Sequence, residues 1–226
     1  MLKISVTDEW RTTHSGASIA LLELSGVENT HPSEALNQRK RATEARLRET
    51  CAGFNRKDFL ALPVMAAYAR YYKQFNKTYH VQLQLESLVL KGKKLPNVSP
   101  LVDSNFVAEV ETFILTAGHD AARLNGAVVF DVSREGDRIT QLNGESKPIR
   151  AGDMIMRDAE GVSCTILYGQ DNRSPISAQT NQVLYVAYLP VGVPVESANE
   201  QFQKIKDNIR LFSPDAVVKR QQILTA

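Results

Sequence analysis

Cysteine, histidine, tryptophan and unbroken apolar sequence are all scarce in this 226-residue chain. The two cysteines, Cys51 and Cys164, stand far apart and form no CxxC pair. That argues against a disulfide framework and a zinc site, and a reducing compartment is the simpler reading. The four histidines, His14, His31, His80 and His119, show no metal-ligand spacing, so neither a metal nor another cofactor is expected. There is no GxGxxG, no Walker sequence, no GxSxG and no HExxH, which removes the motif-borne nucleotide, serine-hydrolase and zinc-protease readings. Apolar runs fall well short of the roughly 20 residues that cross a bilayer. The opening MLKISVTDEWR has no apolar core of the signal-peptide kind. A soluble, cytoplasmic protein without a membrane partner is therefore expected. Charge of one sign is also lacking: 27 Lys and Arg face 25 Asp and Glu, a net of +2, too little by itself to argue for nucleic acid.

What is present suits a globular chain, with 43% hydrophobic and 23% charged residues. Leu2 to Val6 and Ala17 to Leu24 read as strands, and turn residues Ser15-Gly16 between them make their pairing plausible. Ser33 to Thr50 reads as a helix with Ser33 as N-cap and a thin stripe of Leu36, Thr43, Leu47 and Cys51. Its basic residues Arg39, Lys40, Arg41, Arg46 and Arg48 leave two readings, a solvated face or a phosphate-contacting surface. Pro63 opens a helix over Val64 to Phe75 whose Tyr68, Tyr71 and Tyr72 fall at core spacing, although a base-stacking platform is the alternative. Leu83 to Leu90 is a further helical segment, followed by the compact positive loop Lys91-Gly92-Lys93-Lys94.

From Gly126 the pattern turns to strands. These are Ala127 to Val132, Arg138 to Leu142, Asp153 to Arg157, Val162 to Leu167 and the buried-looking Gln182 to Leu189, with Asn143-Gly144 as a tight turn. Val195 to Leu211 reads as a closing helix before Pro214, and the last dozen residues as a tail. The fold class expected is α+β, a β-rich sandwich or barrel-like core flanked by helices, in one domain over 1–226. Residues 1–60 form an extension, 64–190 the core and 195–226 a C-terminal helix and tail.

The chain is organised around Pro96 to Gly126. A proline-punctuated loop runs into an amphipathic segment, a short strand at Phe113 to Leu115 and the corner Ala117-Gly118-His119-Asp120. Asp103, Asn105, His119 and Asp120 sit where ordered elements start or stop, and His119 is the proton-handling candidate. The loop Gln170-Asp171-Asn172-Arg173, with Thr180 nearby, is a second polar cluster able to recognise a ligand or hold a water. A solvated turn is its plain alternative.

These stretches also carry a family resemblance. Leu101 to Val107 (LVDSNFV) looks like the VD…NYV run of the phenylalanyl-tRNA synthetase β subunit. His119-Asp120 with Leu124-Asn125-Gly126 is similar to its HAFD…KLxG run, and Lys91 to Pro96 and Asn143-Gly144-Glu145 match as well. The whole resembles free-standing B3/B4-domain proteins over roughly Val64 to Pro190. The resemblance implies a tRNA or aminoacyl-tRNA partner and an editing site that hydrolyses a misattached amino acid. Carried over, His119, Asn172 and Arg173 would be catalytic. Asp103, Asn105, Asp120, Gln170, Asp171 and Thr180 would bind substrate, and Lys91, Lys93 and Lys94 would hold RNA. The site's glutamate would fall near Val186, an apolar position here. Hydrolysis in trans, a non-catalytic RNA or amino-acid binding module with a relict pocket, and a helper subunit with a structural pocket all stay open. If the resemblance holds, His119 and Asp171 should line one concavity.

Overall fold

The computed structural model describes residues 2–226. Its architecture is α+β and has no closed barrel. One sheet has five strands in the order β1 (Ile4–Val6), β4 (Val128–Val132), β7 (Met154–Asp158), β8 (Gly161–Thr165) and β9 (Gly169–Gln170). The other has four, in the order β11 (Val217–Thr225), β2 (Ser18–Ser25), β10 (Gln182–Leu189) and β3 (Thr116–Asp120). A small hairpin, β5 (Arg138–Thr140) and β6 (Ser146–Pro148), stands apart around the Asn143-Gly144 turn.

β2 and β10 are the apolar centre of the second sheet. They pair antiparallel along their whole length, Ser18 opposite Leu189 to Ser25 opposite Gln182. Val183 to Leu189 is buried throughout. Both neighbours of such strands must be covered, so their sequences are continuous apolar runs instead of alternating ones. Side chains of both sheets meet α4 (Pro63–Gln74) in one cluster that includes Leu21, Tyr68, Phe130, Met156 and Tyr185. The α4 tyrosines are core: Tyr68 and Tyr72 are fully buried, and their hydroxyls donate to the carbonyls of Tyr188 and Ile166.

Several expectations need correction. Leu2 to Val6 does not pair with Ala17 to Leu24. β1 joins β4 in parallel in the other sheet, because the intervening residues form helix α1 (Asp8–Thr13), capped by the Thr7 side chain on the Trp10 N–H. Phe113 to Leu115 is not a strand. Helix α6 (Pro100–Thr112) ends on Phe113 in a left-handed conformation with φ of 63°, and β3 begins only at Thr116. The last residues are not a tail but β11, which completes the second sheet along β2. The remaining helices are α3 (Arg56–Ala61), α5 (His80–Leu85) continued by a π-helical turn (Glu86–Leu90), and α7 (Val195–Arg210).

The basic residues of helix α2 (Glu34–Thr50) divide. Arg39 and Arg46 stay exposed, as the solvated-face reading expects, but Lys40 does not, and all five have partners within the fold. Lys40 is fully buried, and its Nζ reaches the Pro96 carbonyl, Asn97 Oδ1 and, at 2.7 Å, Asp103 Oδ2. Arg39 and Arg46 pair with Glu111, and Arg41 with Glu44. Arg48 donates to the Leu88 and Lys93 carbonyls. The helix is a clamp on residues 88–111. Removing one partner of a buried ion pair leaves the other charge stranded. Lys40→Met is therefore expected to lower unfolding free energy by about 3–5 kcal/mol, and Lys40→Met with Asp103→Leu to recover much of it, as read by urea denaturation.

Candidate functional site

A hollow of about 710 Å³ opens between α6, β3 and the β8–β9 end of the five-stranded sheet. Its existence follows from how β3 is held. On one side β3 pairs with β10. On the other it carries no strand, only the single bridge between His119 and Pro175. At Thr116 the backbone is satisfied by helix side chains: Glu109 Oε1 accepts its N–H at 2.7 Å, and Asn105 Nδ2 donates to its carbonyl at 2.8 Å. Gln201 of α7 braces this clasp through Asn105 Oδ1 and the Thr116 hydroxyl. Gly118 borders the hollow, where a Cβ would lie 2.7 Å from Ile176 Cδ1. The absence of a side chain there keeps the space open.

The walls are mostly apolar, with Val102, Phe106, Ile166 and Ile176 among them. A few polar groups converge on the space: Gln84, Asn105, Glu109, Gln170 and Tyr188. An apolar hollow with few convergent polar groups is the general form of a small-ligand site. Burial raises the Glu109 carboxyl to about 8, against the weaker pull of the Thr116 N–H and Asn105. Tyr168 lines the hollow, and Lys77 Nζ lies 4.3 Å from its ring centroid and Lys147 Nζ 5.6 Å. Burial and the charges of Lys147 and Arg150 lower the Lys77 pKa.

The expected site residues divide. Asn105 and Gln170 line this hollow. The Gly-His-Asp corner and the Gln-Asp-Asn-Arg turn do meet, but not as two walls of it. His119 is fully buried and its Nδ1 is 2.8 Å from Ser174 Oγ, which in turn donates to Asp171 Oδ1 at 3.0 Å. Neither His119 nor Asp171 lines the space, so the concavity expected between them is replaced by a sealed contact beneath it. Burial lowers His119 to about 4, leaving it neutral. Arg173 pairs with Asp158, Glu160 and Asp171, the last with Nε 2.6 Å from Oδ2 as an ion pair off the hydrogen-bond direction. Asn172 is exposed and outside the hollow. Thr180 donates to Asp120 Oδ2 at 2.8 Å, and Asp120 Oδ1 caps Ala122. Asp103 is held by Lys40 and by the Val98 N–H. Lys91, Lys93 and Lys94 are exposed and do not border the hollow.

Glu109 and Tyr188 escaped the sequence reading. A signal for Glu109 was present: it stands in α6 among Phe106, Val107, Ala108 and Val110. An acid inside a helix that is apolar on most sides is carried into the interior with its neighbours.

The sequence matches the B3/4 domain model over residues 64–218. The chain belongs to the B3/4 domain family. Among solved structures the B3/4 chain is similar to an N-terminal fragment of the phenylalanyl-tRNA synthetase beta-subunit from Pyrococcus horikoshii. Identity is 8% and the TM-score 0.48, over 98% of this chain and 50% of that one. The chain thus spans about half the length of that fragment. No curated protein matches the sequence. Among the described residues no helix is long and apolar enough to cross a membrane, and no group of His, Cys, Asp and Glu is placed to hold a metal ion.

Because Glu109 keeps its proton to about 8 when folded and releases it near the ordinary carboxylate value when unfolded, stability falls as pH rises through that interval. Glu109→Gln keeps an acceptor for Thr116 and has no proton to lose. Its unfolding free energy relative to the parent is expected to climb steadily between pH 5 and pH 8, with a limiting slope of roughly 1.4 kcal/mol per pH unit. Denaturant melts across that range read the slope.

Proposed function

We propose that this B3/4 domain binds the aminoacyl end of an RNA, with the amino acid in the hollow and the RNA's terminal phosphates against its cationic mouth. The observation that carries this reading is the cluster of positive charge around Tyr168. Lys77 and Lys147 both approach the ring, and Arg150 lies near enough to depress Lys77 further, with Asp153 opposing them in part. Arg150 donates to the Phe75 carbonyl, and none of the three is in a salt bridge among the described residues. Like charges gathered without a salt-bridge partner weaken the fold unless something anionic relieves them. Phosphates do so, and they release counterions as they bind.

The hollow beside this mouth supports the amino-acid half of the reading. Its volume of about 710 Å³ lies within the range of small-ligand pockets. The tRNA itself is what the family resemblance implies.

The reading is one of binding. Hydrolysis by His119, Asn172 and Arg173 would require these groups to reach the ester. His119, within β3, is fully buried, and Arg173 is spent on three carboxylates. A general base must come within hydrogen-bond reach of the water it activates.

The test is binding of aminoacylated tRNA, followed by fluorescence anisotropy over a salt series. Affinity is expected to fall with salt at a logarithmic slope of about −0.7 for each single-strand phosphate contacted. Lys77→Ala with Lys147→Ala should weaken binding about tenfold or more and flatten that slope by roughly two contacts' worth. The triple change at Lys91, Lys93 and Lys94 should do less. A salt-insensitive interaction, or none, removes RNA from the reading. In a parallel deacylation assay on mischarged tRNA, His119→Ala is expected to leave the ester's lifetime unchanged. A lifetime that lengthens in that variant would restore the hydrolytic role.

A further inference from the structure

The inner end of the hollow contains polar atoms that the fold does not use. Glu109 is 2% exposed. Its Oε1 takes the Thr116 N–H, Asn105 also bonds the carboxyl, and among the described residues no lysine or arginine pairs with it. Tyr188, 1% exposed, lines the same space, and among the described residues its hydroxyl meets no partner but the Cys164 thiol. Gln84 Oε1, also on the lining, has none among the described residues. Around them the walls are hydrocarbon. Burying a carboxyl with unpaired polar atoms beside it weakens a fold and is repaid only if a ligand supplies the missing donors.

We propose that this inner end is an ammonium site, in which Glu109, Gln84 and Tyr188 together receive a primary amine carried on an apolar or aromatic body. The proposal rests on the hollow being the amino-acid pocket described above, and it names the chemistry of the group that enters first. A primary ammonium is compact and brings three N–H donors to a lining that holds these acceptors. A hydroxyl brings only one.

The neighbours of Glu109 favour the cation. Tyr68 and Tyr72 come from α4, Tyr79 from the loop before α5, His80 and Gln84 from α5, Cys164 from β8, and Tyr185 and Tyr188 from β10. Burial raises the phenols and the thiol, and burial with Lys77 lowers His80. All of them are neutral near pH 7, so no protein cation competes for the carboxyl. In the empty hollow Glu109 holds its proton to about 8. A bound ammonium stabilises the ionised carboxylate and draws that proton off, so amine binding strengthens as pH rises toward 8.

Calorimetric titration with 2-phenylethylamine and 2-phenylethanol, at pH 6.5 and pH 8, tests this. At pH 8 the amine is expected to bind at least tenfold more tightly than the alcohol, and the preference should shrink at pH 6.5. Glu109→Gln should abolish the preference while the alcohol's affinity stays the same. Tyr188→Phe, which removes one hydroxyl and nothing else, should reduce amine affinity severalfold and leave the alcohol untouched, and it carries the test if Glu109→Gln does not fold. Equal or tighter binding of the alcohol, or an amine preference that survives the changes at Glu109 and Tyr188, overturns the ammonium site and leaves the amino-acid pocket standing. Binding of neither compound overturns both.

Discussion

Both backbone groups of Thr116 end on side chains of α6 and not on another strand. A buried peptide N–H or C=O must find a partner, and in most sheets the next strand supplies it. Here the partners are Glu109 and Asn105, one helical turn apart and held in turn by Gln201. This substitution makes the hollow possible. A strand laid along β3 would fill the space, whereas two side chains reaching in from above satisfy the peptide and leave the room beyond it open. The arrangement also brings a carboxyl inside the protein, because the acceptor for Thr116 is an acid. The hollow and the buried acid therefore come from one structural decision.

The distribution of positive charge follows a second constraint. Most arginines and the buried Lys40 are tied to carboxylates or carbonyls, often across long stretches of sequence, as with Arg134 to Glu9 and Lys40 to Asp103. Those links fasten the loop of residues 95–99 and the corners of the five-stranded sheet. Against that background the cations around Tyr168 stand out because none of them forms a salt bridge among the described residues. Exposed lysines are common and their exposure alone says little. Two lysines against one ring with Arg150 near, beside a hollow, are a different matter, because Asp153 offsets their repulsion only in part.

The parts of this fold that could be read from sequence were those decided locally. The runs that became β2 and β10, the stripe of α4 and the Ser33 cap of α2 are patterns of a few adjacent residues, and they fold as their patterns dictate. What escaped was decided at a distance. Lys40 looks like any solvated helix lysine until Asn97 and Asp103, far along the chain, close over it. β11 hides because Lys219 to Gln222 interrupts its apolar ends, and only the waiting edge of β2 makes it a strand. The start of β3 slipped because Phe113 stops α6 in a left-handed conformation that usually calls for glycine. At the site, Asn105 and Gln170 were legible as polar residues at element boundaries. His119 and Asp171 were legible as a pair, but which side of β3 the pair would occupy depends on the alternation of a strand whose register only β10 fixes.

The same reasoning bears on the acid that the family resemblance places near Val186. In this chain Val186 is fully buried, lies opposite Ala117 and does not border the hollow. A carboxyl there would be set among β2 and β3 with no peptide left to bond, since both neighbouring strands already occupy the ladder. Glu109 approaches from the helix instead, where Thr116 offers an N–H to its carboxyl and the hollow borders it. An acid survives inside a protein only where such a donor offsets part of its lost hydration. The strand supplies no such donor and the helix does, so in this sequence the helix is the element on which a buried carboxyl can persist.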